Sequence, residues 1–186
     1  MRIIAGAARG RRLTSPPGEE TRPTLDRVRE AIFSSLSPYL YDAAALDAFA
    51  GSGAMGLEAL SRGAKSCLFV ESDRKTADLV RQNLKGCALE GGTVVCADCR
   101  RVIAEQAARG QQFDLIFLDP PYNSGLLPEV LRLIAEVGIL AAGGQIVAET
   151  TRKDSDIALP PGLSIRKTAN YGTVAVHYII NEVRED

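Results

Sequence analysis

A chain of 186 residues, 46% hydrophobic and 24% charged, has the length and composition of one globular domain, which excludes intrinsic disorder and a fibrous class. No apolar run approaches the roughly 18 residues of a membrane span, and the stretch from Ile3 to Ala8 is shorter than a signal-peptide core, so a cytoplasmic protein is expected. The net charge of -1 argues against indiscriminate coating of nucleic acid, but it is an average over two unequal parts. Residues 1–40 hold seven Arg against four acids, a local +3, while the remainder holds 15 bases against 19 acids, a local -4. Arg2, Arg9, Arg11 and Arg12 fall within the first thirteen residues with no acid among them. That pattern suits a solvated terminus or an arm that contacts phosphate through its guanidinium forks.

In chain order, Arg2 to Ile4 and Arg11 to Leu13 around Gly6 and Gly10 predict a small hairpin, and Thr14 to Glu20, with two prolines and a glycine, predicts a linker. Thr24 stands as N-cap of a helix whose apolar stripe is Leu25, Val28, Ile32 and Leu36, with Arg27 and Arg29 on polar positions. These elements form an N-terminal extension over residues 1–40, ahead of a larger domain over 41–186. In that domain strands are predicted at 44–49, 66–70, 93–96, 113–118 and 145–149, with helices at 54–61, 73–85, 100–108 and 126–137. Repeated βα units of this length imply a parallel, doubly wound α/β sheet with helices on both faces. The end differs: 163–167 and 173–180 read as two strands joined by an Asn170-Tyr171-Gly172 turn, a terminal antiparallel hairpin that brings the sheet to seven strands.

Cys67, Cys87, Cys96 and Cys99 read as reduced thiols. Cys96-Ala-Asp-Cys99 has zinc or redox spacing, but no second close Cys or His pair completes a tetrahedral site, so no metal is expected. The single histidine, His177, lies in an alternating strand pattern and is expected on the sheet surface.

Asp47-Ala-Phe-Ala-Gly51-Ser-Gly53-Ala-Met-Gly56 places a G-x-G-x-x-G run between a predicted strand and a predicted helix, the Rossmann-like arrangement for a ligand at the carboxyl edge of the sheet. Glu71, twenty residues after Gly51 and at the end of the next strand, is placed to accept from ribose hydroxyls. This much fits either a dinucleotide or S-adenosylmethionine. Asp98 at the end of the third strand can accept from an adenine amine, and the fourth strand ends in Asp119-Pro120-Pro121-Tyr122. An exocyclic amine of a nucleobase is a poor nucleophile because its lone pair is delocalised into the ring. If the Asp119 carboxylate and the Pro120 carbonyl accept its hydrogens, the nitrogen is held pyramidal and can attack a sulfonium methyl. Tyr122 offers a ring on which an extruded base stacks. The leaving group departs neutral, so the chemistry calls for no metal.

With these strings the chain resembles the bacterial 16S ribosomal RNA guanine-N2 methyltransferases of the small subunit, within the Rossmann-like S-adenosylmethionine-dependent methyltransferases. The resemblance runs over essentially the whole length. Its carriers are Ile3-Ile-Ala-Gly6 with Arg9-Gly-Arg-Arg-Leu13, Thr21-Arg-Pro-Thr24 with Asp26-Arg-Val-Arg-Glu30, the glycine loop, Asp119-Pro-Pro-Tyr122, and Tyr171-Gly172. It implies 16S ribosomal RNA or the small ribosomal subunit as partner, S-adenosylmethionine as cofactor with S-adenosylhomocysteine as product, and a monomer that does not engage a membrane. It also assigns Arg9, Arg11, Arg12, Arg22 and Arg27 to contacts with RNA or with the methionine carboxylate. Ala7-Ala8 departs from the larger, often basic and aromatic pair usual before Arg-Gly, which implies a weaker grip on RNA. The expected cofactor-binding set is Thr24, Asp47, Phe49, Gly51, Gly53, Gly56, Glu71, Ser72, Asp98 and Cys99, and the expected catalytic set is Asp119, Pro120 and Tyr122. Methylation of adenine N6 in DNA, an NAD-dependent oxidoreductase and a noncatalytic RNA-binding module stand as alternatives.

Overall fold

Apolar runs short enough for strands alternate with amphipathic stretches along the chain, and the computed structural model turns that alternation into layers. It describes residues 1–16, 23–121 and 124–182, and the side chains of residues 23–25 lie outside the description. Among the described residues the order is α1 (Pro23–Leu40), β1 (Ala44–Asp47), α2 (Ala54–Ser61), β2 (Ser66–Glu71), α3 (Arg74–Cys87), β3 (Gly92–Cys96), α4 (Cys99–Ala108), β4 (Phe113–Leu118), α5 (Leu126–Val137), β5 (Leu140–Thr151), β6 (Leu163–Tyr171) and β7 (Val174–Asn181). The strands form one seven-stranded sheet in the order β3-β2-β1-β4-β5-β7-β6. Strands β1 to β5 run parallel, and β7 is antiparallel to both β5 and β6. The fold is the expected Rossmann-like α/β sheet with a terminal hairpin, and no helix among the described residues is long and apolar enough to cross a membrane.

Strand alternation sorts the core into two layers. Ala45, Phe69, Leu115, Phe117, Val147, Val176 and Tyr178 face one way and pack with Ile32 of α1, Leu57 of α2 and Val80 of α3. Leu46, Val70, Ile116, Leu118, Ile146, Ala148 and Ile179 face the other way, against Ile103 of α4 and Val130 and Ile134 of α5. The chain winds outward through β1, β2 and β3, then returns to the other side of β1 as β4. That reversal opens a crevice at the carboxyl ends of β1 and β4, where open α/β sheets place their ligands.

Several boundaries differ from the sequence reading. β1 ends at Asp47, because Ala48 leaves the strand to enter the glycine loop, its amide donating to Phe117 O at 3.1 Å. β5 starts at Leu140 rather than residue 145, since a register irregularity against β4 and a positive φ of 74° at Gly143 absorb the intervening residues. β6 continues through Asn170 and Tyr171, so the terminal turn is a tight Gly172-Thr173 pair with Gly172 at φ 61°. His177 is the clear correction, for it is fully buried instead of lying on the sheet surface. β7 is an interior strand covered on both faces, and the two imidazole nitrogens lie 3.0 Å from the hydroxyls of Thr150 and Thr168.

The N-terminal segment packs onto the sheet layer through Ile3, Ala8 and Leu13, all buried among α1, α2 and α3. An antiparallel bridge joins Arg2 and Arg12. Gly6, at φ 84°, is required where it stands, since a Cβ there would lie 1.8 Å from Ser61 O. Glu58 of α2, fully buried, ties the parts together. Its carboxylate accepts from the amides of Ile4 (2.8 Å) and Ala5 (3.0 Å) and from Arg62 Nε (2.7 Å), and Arg29 of α1 approaches it at 3.7 Å. Arg29 also donates to Arg2 O at 2.5 Å and to Asp26 at 3.0 Å. Removing one member of such a buried charge network leaves the others desolvated and unpaired. Glu58→Ala should therefore destabilise the protein by about 3 kcal/mol in urea unfolding, whereas a loss below about 1 kcal/mol would place Glu58 outside the network.

Candidate active site

The crevice is bordered by acids, one at the end of each parallel strand: Asp98 after β3, Glu71 in β2, Asp47 in β1, Asp119 after β4 and Glu149 in β5. The first four follow from strand-end acids in the sequence. Glu149 was not singled out there, although the predicted fifth strand ended on it and the same criterion selects it.

Asp47 is 3% exposed and its Oδ2 accepts from Gly56 N at 3.0 Å, which fastens the first turn of α2 to the end of β1. Burial pushes its carboxyl up to about 7, the charges of Asp119 and Glu71 add to the rise, and the Gly56 hydrogen bond opposes it. Gly56 is irreplaceable on packing grounds, since a Cβ there would stand 2.3 Å from the Phe69 ring and 2.5 Å from Cys67 Sγ. Gly53 caps α2 in the left-handed region at φ 79°, and Gly51 also has a positive φ, 52°. Glu71 braces this loop: Oε2 accepts from Gly51 N at 3.1 Å, and Oε1 accepts from Asp73 N at 2.9 Å and from Ser72 Oγ at 3.5 Å.

Asp98 caps α4. Its Oδ1 accepts from Arg100 N (2.8 Å) and Nε (3.0 Å), and its Oδ2 from Arg100 Nη2 (2.6 Å). These bonds hold the carboxyl down at about 2, and Oδ2, with one of the three, keeps more accepting capacity than Oδ1. Cys99 beside it is buried, which pushes its thiol up to about 11 and makes it inert as a nucleophile. Phe49 is half-buried and packs against the α4–α5 layer. Asp119 is exposed at the end of β4 and Pro120 behind it is buried. Tyr122 and Arg22 lie outside the described residues, as does the side chain of Thr24. Glu149, half-buried, is pushed up to about 8 by burial first, then by the charges of Asp119 and Asp47, with Arg29 opposing.

The arginines are placed differently from the acids. Arg9, Arg11, Arg12 and Arg27 are exposed. The amides of Ala7 and Ala8 donate to Ser61 O (2.7 Å) and Ser61 Oγ (3.0 Å) at the last residue of α2. The turn that carries Arg9 thus sits a helix length, roughly 12 Å, from the glycine loop. Arg11 is near enough to Cys87, at the last residue of α3, to oppose the upward push that burial gives its thiol. All four cysteines are free thiols, and no group of three metal-ligating side chains occurs among the described residues.

The sequence profile of the family described as "Conserved hypothetical protein 95" matches residues 1–180. The Bacillus subtilis protein YlbH is 41% identical over 180 residues, spanning 95% of this chain and 96% of that one. The chain belongs to this family. A further relative is the ribosomal RNA small subunit methyltransferase D of Escherichia coli, 38% identical over 175 residues, which cover 94% of this chain and 87% of that protein. The solved structure of Escherichia coli yhhF superposes with a TM-score of 0.86 at 34% identity, covering 98% of each chain. The resemblance drawn from the N-terminal strings and the strand-end motifs is therefore matched across nearly the whole length of the family.

The raised Asp47 carboxyl has a measurable consequence for stability. Its folded value of about 7 lies above that of an unfolded aspartate, near 4. Its contribution is fully present below about pH 4 and is lost as pH rises through about 7. Wild-type Tm should therefore fall between pH 5 and pH 8 more steeply than that of Asp47→Asn, and parallel Tm profiles would show that Asp47 titrates normally.

Proposed function

We propose that the chain transfers a methyl group from S-adenosylmethionine to the exocyclic N2 amine of a guanine in 16S ribosomal RNA, with the assembled or partly assembled small subunit as substrate. The observation that carries this reading is Asp119-Pro120-Pro121 at the reversal point of the sheet, on the same edge as the glycine loop, in a chain 38% identical to a ribosomal RNA small subunit methyltransferase. The donor set suits the cofactor. Asp47, Glu71, Asp119 and Glu149 make the crevice acidic, and the carboxyls of Asp47 and Glu149 are raised by burial first and by the neighbouring acids second, charge that a cationic ligand offsets. S-adenosylmethionine supplies an electrophilic methyl on a sulfonium and leaves as neutral S-adenosylhomocysteine.

The residues divide the work by position. Gly51 and Gly53 shape the loop and Gly56 lets α2 approach the sheet, while Asp47 lies beside the methionine end. Glu71 accepts from ribose hydroxyls with lone pairs left by the Gly51 and Asp73 amides, next to Ser72. Asp98 receives the adenine amine, with Phe49 and Cys99 beside it, and Thr24 closes over the cofactor from α1. Asp119 and the Pro120 carbonyl each accept one hydrogen of the guanine amine, which holds its lone pair out of conjugation. When the nitrogen–methyl bond forms, Asp119 takes the hydrogen it already holds. Tyr122 stacks on the flipped base. Arg9, Arg11, Arg12, Arg22 and Arg27 contact RNA phosphates away from the reacting base and fix its orientation.

Asp119→Ala should reduce methyl transfer to undermethylated small subunits by at least about 1,000-fold while adenosylhomocysteine affinity changes little. Retained turnover would remove Asp119 from the mechanism, and transfer to duplex DNA instead of subunits would replace the substrate. Converting Arg9, Arg11 and Arg12 together to Ala should lower the slope of log affinity against log salt by about 2 for the small subunit, and an unchanged slope would take the hairpin out of the RNA contact.

A further inference from the structure

Four of the five strand-end acids have tasks in the proposed reaction, and the fifth, Glu149, does not. β4 and β5 pair in parallel with Leu118 opposite Ala148, so Asp119 and Glu149 are the next residues up on strands roughly 4.8 Å apart. Strand alternation points both toward the α1 layer, because Phe117 and Val147, two residues back on each strand, pack there. Glu149 is half-buried and receives no hydrogen bond from a described residue. The cation that acts on it is Arg29, whose Nη2 donates to Asp26 and Arg2 O and whose Nε lies 3.7 Å from Glu58. A carboxylate kept partly out of water without a donor is costly, and proteins retain such groups where a ligand supplies the donor.

Guanine supplies that donor. Its N1–H stands beside its N2 amine on one edge of the base, so a carboxylate next to the one that grips N2 meets a hydrogen. Adenine presents the reverse, an unprotonated N1 beside its N6 amine, and the same carboxylate then faces a lone pair. We propose that Glu149 reads the target base as guanine by accepting its N1–H while Asp119 and the Pro120 carbonyl hold the adjacent N2 amine. This rests on the guanine-N2 reading above and adds to it the residue that selects the base. Burial and the neighbouring acids push the Glu149 carboxyl up, and a bound N1–H favours its ionised form. The pairing thus supports catalysis only when the correct donor is present, the way a site built around a substrate N–H rejects the analogue that lacks it.

The test uses small subunits reconstituted with 16S RNA that carries either guanine or 2,6-diaminopurine at the methylated position. Diaminopurine keeps the N2 amine but has an unprotonated N1. Wild-type enzyme should favour guanine by at least about tenfold in kcat/KM. In Glu149→Gln, whose amide can donate to N1, the ratio should fall to within about threefold with adenosylhomocysteine affinity unchanged. Glu149→Asp, which keeps the acceptor, should retain the guanine preference at a lower rate. A purely structural role would slow both substrates in proportion, so an unchanged ratio in Glu149→Gln would overturn the assignment. Failure of wild-type enzyme to methylate the guanine substrate is a different result, and would overturn the underlying reading of the reaction.

Discussion

Negative charge gathered at the carboxyl edge of the sheet, with Asp47 buried and Glu149 half-buried among it, is the constraint on which the rest of this molecule depends. Parallel strands end together, and here each of the five ends carries a carboxylate within a few residues of its last sheet hydrogen bond. Asp47 is almost fully enclosed, and the backbone amide of Gly56 donates to its carboxylate. Repulsion along such a row would destabilise an empty crevice, and the protein manages it in two ways. Protonation neutralises part of the charge when no ligand is bound, as the raised Asp47 and Glu149 carboxyls indicate. Backbone amides of the glycine loop absorb another part at Asp47 and Glu71, which is why the loop must come so close to the sheet and why Gly56 can carry no Cβ.

A second buried carboxylate, Glu58, organises the other end of α2. Two N-terminal amides, Arg62 and Arg29 converge on it, so the hairpin, α1 and α2 share one charge centre. α1 in turn reaches back to the crevice, because Arg29 is also the cation that acts on Glu149. The basic extension and the acidic edge are thus linked through a single guanidinium. Burial pushes the Arg29 guanidinium down, and Glu58 and Asp26 hold it up.

The strand-helix alternation was legible in the sequence because each element is short, uniform in period and punctuated by glycine, and the acids at strand ends stood out for the same reason. What was not legible depends on contacts between distant segments. His177 alternates like a surface residue, and only the position of β7 between β5 and β6 buries it against Thr150 and Thr168. Leu140 joins β5 because Gly143 adopts a positive φ that no local pattern announces. Glu58 looks like one more polar residue on a helix, and its role appears only when residues 4 and 5 fold onto it from 54 and 53 positions away. The hairpin arginines were legible as a charge cluster, while the position of the turn that carries Arg9 required the packing of Ala7 and Ala8 on Ser61.

The central claim, methyl transfer to guanine N2 in small-subunit RNA, is tested most directly by the nucleoside content of 16S RNA from cells with and without this chain. Mass spectrometry of digested 16S RNA should show one N2-methylguanosine per subunit lost on deletion and restored by the wild-type gene. An unchanged N2-methylguanosine content, with loss of a methyl group from another nucleoside or from DNA, would contradict it.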